Sequence, residues 1–152
     1  MANQVKSDDE ILEFAIAREV EANHFFIALA KRVDSPHIRK VFEELAEEEL
    51  EHKAKLELEL MKTGKVVPDE IEQKNVEEDL LFSGERLIDM DYKDVLLLGI
   101  EKEEASFRTY VNLVHSVYDA DSREILLALA EEEVKHKIRF ETEYDLLLKE
   151  KD

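Results

Sequence analysis

Residues 49–52 and 133–136 spell the same step, Glu-x-x-His, inside nearly the same phrase, LAEEELEHK and LAEEEVKHK. The two steps lie 84 residues apart (133 minus 49), and a second pair of glutamates, Glu19 and Glu103, keeps that offset (103 minus 19). A duplication without a gap constrains the fold more than any other feature, because each half must present the same side chains in the same way. Each half offers one lone Glu and one Glu-x-x-His. On a helix, residues i and i+3 project from one face. One Glu-x-x-His can therefore offer a carboxylate and an imidazole to the same ion.

The surrounding composition favours helices. The 152 residues include only 3 Gly and 2 Pro, and 39% are charged, which points to long helices and little sheet. The length suits a single domain, 1–152, with one core. There is no Cys, so disulfides, thiolate metal sites and thiol chemistry are excluded, and any metal must be held by carboxylate and imidazole. A net charge of −18 repels nucleic acid and anionic membranes and attracts cations. No apolar run reaches membrane-spanning length. Residues 1–6 lack the apolar core of a signal peptide. The expectation is a soluble cytoplasmic protein that binds neither nucleic acid nor membrane.

Punctuation residues divide the chain into four helices. Ser7, with Glu10 three residues on, has the spacing of a capping box and opens a first helix that runs to about Arg32. Asp34-Ser35-Pro36 makes a turn, with Ser35 as cap and Pro36 in the first helical position. The second helix reaches about Lys62 and stops at Gly64. Between Lys65 and about Met90 the pattern weakens. Pro68 breaks it, and Ser83-Gly84 interrupts the apolar patch Leu80-Leu81-Phe82. A crossover with one or two short helices is expected there. A third helix runs from near Asp91 to about Val117, a second turn follows at residues 119–122, and a fourth helix ends near Lys149. The repeats are thus about 7–63 and 91–149, with a crossover at about 64–90. The expected fold is all-α: a four-helix bundle of two antiparallel hairpins joined by one long crossover.

The apolar stripes show where the carboxylates point. The first helix reads Leu12, Ile16, Glu19, Asn23, Phe26, Ala30, and the second Phe42, Leu45, Glu49, His52, Leu56. The third reads Leu96, Ile100, Glu103, Phe107, Tyr110, Val114, and the fourth Leu129, Glu133, His136, Phe140. Steps of three and four keep each set on one face. Each stripe is interrupted in mid-length by Glu, or by Glu and His. Unpaired buried carboxylates are costly, and four at one level would repel one another. Two bound cations remove both penalties. The metal ligands expected are Glu19, Glu49, His52, Glu103, Glu133 and His136. Glu47, Glu48, Glu131 and Glu132 belong to solvated faces, and His24, His37 and His115 to the surface. Phe25, Phe107 and Phe140 are expected in the core. Tyr110, two turns beyond Glu103, either hydrogen-bonds a ligand carboxylate or only fills the core. Asn23 could support a ligand from one turn beyond Glu19.

At these residues the chain resembles the rubrerythrin-like branch of the ferritin-like di-iron carboxylate superfamily. AIAREVEANHFFIALA, FEELAEEELEHK, MDYKDVLLLGIEKE and LALAEEEVKHK are similar to that family's four helix motifs, from about Glu10 to the end of the last helix. The resemblance implies a ferritin-like bundle with a non-haem centre of two iron ions, Mn/Fe or another metal pair being alternatives. There are three departures. With no Cys, the chain lacks the rubredoxin domain of rubrerythrin proper, so electrons must come from an external donor such as a rubredoxin-type protein. The extra Glu ligand three residues after the third-helix Glu is Ser106 here. The Tyr seven residues after the first-helix Glu is Phe26, while the second repeat keeps Tyr110.

The function expected is therefore that of a di-iron oxidoreductase, a peroxidase of the oxidative-stress type, reducing hydrogen peroxide or dioxygen. Glu49 and Glu133 would bridge the metals, with Glu19 and Glu103 as terminal ligands. The alternatives are a ferroxidase or iron-handling protein, and a non-enzymatic helical metal-binding or dimerisation module. A homodimer is the expected assembly.

Overall fold

The structure, a computed structural model, describes residues 7–62, 64 and 92–150. The crossover expected at about 64–90, with Pro68, Ser83-Gly84 and the patch at 80–82, lies outside them apart from Gly64. Among the described residues there are four helices: α1 Asp8–Ala30, α2 Pro36–Lys62, α3 Tyr92–Ser116 and α4 Ala120–Glu150. No strand occurs among the described residues. No described helix is long and apolar enough to cross a membrane.

The helix ends follow from local chemistry. Ser7 caps α1: its hydroxyl accepts the Glu10 N–H, and the Glu10 carboxylate accepts the Ser7 N–H in return. That reciprocal pair satisfies donors which a helix start otherwise leaves open. α1 ends two residues before the expected Arg32, where Lys31 caps it and its N–H reaches the Ile27 carbonyl. Gly64 lies just past α2 with φ 85°, a left-handed conformation in which its N–H bonds the Met61 carbonyl at 3.0 Å.

The duplication extends to the turns. The Ser35 hydroxyl accepts the Ile38 N–H at 3.3 Å, and 84 residues on the Asp119 carboxylate accepts the Ser122 N–H at 2.9 Å. Arg39 donates to the Val33 carbonyl at 3.0 Å, and Arg123 to the Val117 carbonyl at 2.7 Å. Two different cap residues thus build one turn.

α1 packs along α2, and α3 along α4, while the hairpins meet α1 to α3 and α2 to α4 with fewer close backbone approaches. Charged groups tie the hairpins together: Lys102 to Glu21 at 2.7 Å, His37 to Glu143 at 2.8 Å, and Arg139 to Glu44. The Asp8 carboxylate holds the α3–α4 turn by accepting the N–H groups of Tyr118 and Asp119. At the far end of α2 the buried Glu59 carboxylate accepts the Ser122 hydroxyl at 3.4 Å and has the Lys62 ammonium 3.3 Å away.

Among the described residues, two apolar clusters fill the interior. One gathers Phe26, Phe42, Leu45, Leu96 and Phe140. The other gathers Leu12, Ile16, Leu56, Tyr110, Leu126 and Leu129. A shift of 84 residues carries Leu12 to Leu96, Phe26 to Tyr110, Phe42 to Leu126, Leu45 to Leu129 and Leu56 to Phe140. The repeat therefore exchanges the two clusters, and its pseudo-two-fold centre falls between them.

Candidate metal centre

Between the apolar clusters lies a polar layer. Glu19, Glu49, Glu103 and Glu133 are each 1% exposed, with His52 at 2% and His136 at 4%. Each helix delivers its share because the Glu, or Glu and His, occupies the inward stripe. The structure brings all six residues picked out from sequence into one place.

They form two overlapping groups. Glu19, Glu49, His52 and Glu133 offer ligand atoms within 4.8 Å of one another, and so do Glu49, Glu103, Glu133 and His136. Glu49 and Glu133 belong to both. Nδ1 of His52 stands 3.5 Å from Glu19, 3.6 Å from Glu49 and 3.8 Å from Glu133. Nδ1 of His136 stands 3.5 Å from Glu49 and from Glu103, and 3.7 Å from Glu133. The imidazole rings stack with centroids 5.8 Å apart and planes inclined by 11°.

These separations are long for hydrogen bonds. They suit atoms that share a cation at about 2.0–2.2 Å each. The buried atoms Glu19 Oε2, Glu49 Oε1, His52 Nδ1, both oxygens of Glu103, Glu133 Oε1 and His136 Nδ1 lack a hydrogen-bond partner. Buried polar atoms are rarely left so. A cluster of them converging from four helices fits a pair of metal ions.

The rubrerythrin family model matches residues 10–144. The chain belongs to the rubrerythrin family. Among solved structures, a hypothetical protein from Pyrococcus furiosus is similar, with 26% identity, 94% of this chain and 91% of that one covered, and a TM-score of 0.67. Two others share the fold. One is a Thermotoga maritima protein assigned as a ferritin-like diiron-carboxylate protein (21% identity, 95% and 98% covered, TM-score 0.71). The other is a manganese catalase from Anabaena (17% identity, 97% and 76% covered, TM-score 0.68). No curated protein matches the chain. This rubrerythrin-family chain thus has the four-helix architecture of ferritin-like di-iron proteins, and its buried Glu/His cluster fits a metal pair.

Electrostatics within the layer are strained without cations. Burial pushes the Glu49 carboxyl well above the usual range, and the charges of Glu19, Glu133 and Glu103 push it further. Burial likewise raises Glu133, with Glu103 next. Glu103 rises to about 8, burial being the largest cause, with the neighbouring Glu133 carboxyl opposing the rise. The Tyr110 hydroxyl donates to Glu19 Oε1, so of its two possible roles the structure gives the hydrogen bond to a carboxylate of the layer. Burial and then the Glu19 charge hold that phenol protonated.

Three expectations need correction. Phe107 is not core: it is 36% exposed, at the rim of a cavity between α3 and α4. Phe25 is only half-buried, beside Phe26, whereas Phe140 is fully buried. Asn23 is buried, but its amide donates to the Ala46 carbonyl at 2.8 Å rather than to a carboxylate of the layer. Sequence reasoning also missed Glu48. Placed on a solvated face, it is half-buried and sets Oε2 3.4 Å from His136 Nε2, the ring nitrogen turned away from the cluster. Its position immediately before Glu49 gave no periodic signal. His37 and His115 are exposed as expected; His24 is half-buried.

Proposed function

We propose that this rubrerythrin-family chain is a non-haem di-iron oxidoreductase that reduces hydrogen peroxide, or dioxygen, with electrons from an external donor. The observation that carries the reading is the pair of overlapping four-residue groups sharing Glu49 and Glu133. In this reading Glu49 and Glu133 would be held in common by the two metals. Glu19 and His52 complete one site, and Glu103 and His136 the other. Two iron ions are the proposed pair; manganese is the alternative, since carboxylate and imidazole suit both metals.

When bound, such a pair supplies reversible one-electron redox chemistry at each ion. The overall conversion takes one peroxide, two electrons and two protons to two waters. The four carboxylates offset the charge of the cations, and the two apolar clusters keep bulk water from the layer. Tyr110 holds the orientation of Glu19 through its hydroxyl. Glu48, 3.4 Å from the outer nitrogen of His136 without a hydrogen bond to it, adds a negative charge that favours a proton on that nitrogen rather than on Nδ1. With no Cys in the chain, the electrons come from a separate donor, for which a rubredoxin-type protein is the proposal.

A ferroxidase is the second reading, favoured by the net charge of −18, which draws cations to the surface. Stopped-flow mixing of the reduced, iron-loaded protein with hydrogen peroxide or dioxygen separates the two. The peroxidase reading expects faster oxidation by peroxide, and repeated turnover when an artificial reductant is supplied. Faster oxidation by dioxygen, followed by release of ferric iron, would transfer the assignment to the ferroxidase.

A further inference from the structure

The duplication is nearly symmetric at the metal layer but not in the seams that lead to it. A cavity of about 190 Å³ lies between α3 and α4. The buried Glu103 and Glu133 line it, together with Val134 and the half-exposed Phe107. Glu104, Arg108 and Lys137 line its mouth. The cavity therefore runs from the solvent side of the second hairpin to the two residues that carry carboxylates of the proposed metal site, while the carboxylate oxygens of Glu103 stay buried beneath it.

The corresponding seam of the first hairpin is built differently. An offset of 84 pairs Phe107 with Asn23, Glu104 with Val20, and Val134 with Leu50. Asn23 is 6% exposed, and its amide crosses to α2 to bond the Ala46 carbonyl at 2.8 Å. Val20 is 5% exposed. That seam is laced by a buried hydrogen bond and covered by an aliphatic side chain. In the second hairpin, Phe107 has no donor to reach the equivalent Ala130 carbonyl, and Glu104 turns outward to Lys137 at 2.9 Å. Two of these three differences, at Phe107 and Glu104, remove what closes the first seam.

The charges at the mouth are matched. Lys137 pairs with Glu104 across the seam and has Glu141 3.9 Å away. Arg108 lies close enough to add to the pull of Lys137 on the Glu104 carboxyl. Among the described residues such a mouth offers no unpaired carboxylate to capture a cation, and Phe107 and Val134 cannot replace the waters that a hydrated ferrous ion would have to shed. A small uncharged molecule meets neither obstacle.

From this we infer that the α3–α4 seam is the route by which a small uncharged oxidant reaches the metal layer, with Phe107 and Val134 setting its width. The inference rests on the proposed metal site and adds to it the path and the charge class of the substrate. Nitric oxide, an uncharged diatomic, is the probe: its binding to the reduced, iron-loaded protein is followed optically and needs no turnover. Val134→Trp should fill the cavity and slow nitric oxide association at least about tenfold. The iron content, and the rate at which the metal-free protein takes up Co²⁺, should be unchanged. Leu50→Trp, its counterpart on the laced seam, should leave association as in the wild type. Phe107→Ala, which removes bulk from the rim, should speed association, and it serves as the readout if the Trp variant folds poorly. Unchanged association in Val134→Trp or Phe107→Ala, or equal slowing in Leu50→Trp, would overturn the route while the metal site stands. A wild-type protein that retained no metal pair would overturn the site itself, and elemental analysis shows that before any kinetics.

Discussion

Glu103 shows how one residue couples burial to metal binding. Its carboxyl rises from 4.5 to about 8 in the folded chain, burial being the largest cause. Glu49 and Glu133 shift the same way. The metal-free folded state therefore keeps protons that the unfolded chain releases above about 4.5. Their stabilisation is complete below that pH and is lost as the pH rises through the folded values. The melting temperature of the metal-free protein should fall between about pH 5 and pH 8. Glu103→Gln, which cannot ionise, should flatten that fall and raise the melting temperature at the upper end. A flat wild-type profile, or a Gln variant less stable at the upper end, would contradict the buried layer. Metal binding displaces these protons, so the stabilisation by added metal should grow with pH. The inward direction of Glu103 was legible in sequence because its position on a 3.6-residue stripe fixes its angle about the helix. The exposure of Phe107 was not. The same period sets the angle of a side chain but says nothing of the distance to the next helix, and at Phe107 that distance opens a cavity.

At the scale of the element, the helix ends were readable where a side chain or a special backbone angle makes them. Ser7 with Glu10, Ser35 with Pro36, and Gly64 all act where the sequence places them. The end of α1 was placed late, because nothing in Lys31-Arg32 breaks a helix; the chain leaves it to enter the turn. Packing between elements was also beyond a linear reading, as Gly99 shows. It lies inside α3, where glycine weakens a helix by about 1 kcal/mol relative to alanine. Its counterpart 84 residues earlier is Ala15, and the counterpart of Phe140 is Leu56. A Cβ on Gly99 would meet three Phe140 ring atoms at 3.2, 3.3 and 3.4 Å. That ring is held by Phe26 and Phe42, with centroids 5.7 and 5.5 Å away, so it has little room to retreat. Smaller Gly with larger Phe in one repeat thus matches larger Ala with smaller Leu in the other. Gly99→Ala should destabilise the protein by about 1–2 kcal/mol despite its better helix propensity. Adding Phe140→Leu, which restores the first repeat's pairing, should recover part of the loss. Denaturant melts of the single and double variants check this, and a more stable Gly99→Ala would refute the proposed contact.

On the scale of the whole molecule, the duplication places a polar layer at its own pseudo-symmetry centre, with one apolar cluster on each side. Four carboxylates and two imidazoles in that position are costly to bury alone. Their unpartnered atoms are what a metal pair would satisfy. The central claim is that Glu49 and Glu133 are shared by both metals, so losing either disturbs both positions rather than one. Elemental analysis of iron-reconstituted protein tests it most directly. The wild type should hold about two metals per chain, as expected of a two-metal site, with a sharp fall toward none in Glu49→Ala and in Glu133→Ala. Retention of both metals in either variant would contradict it.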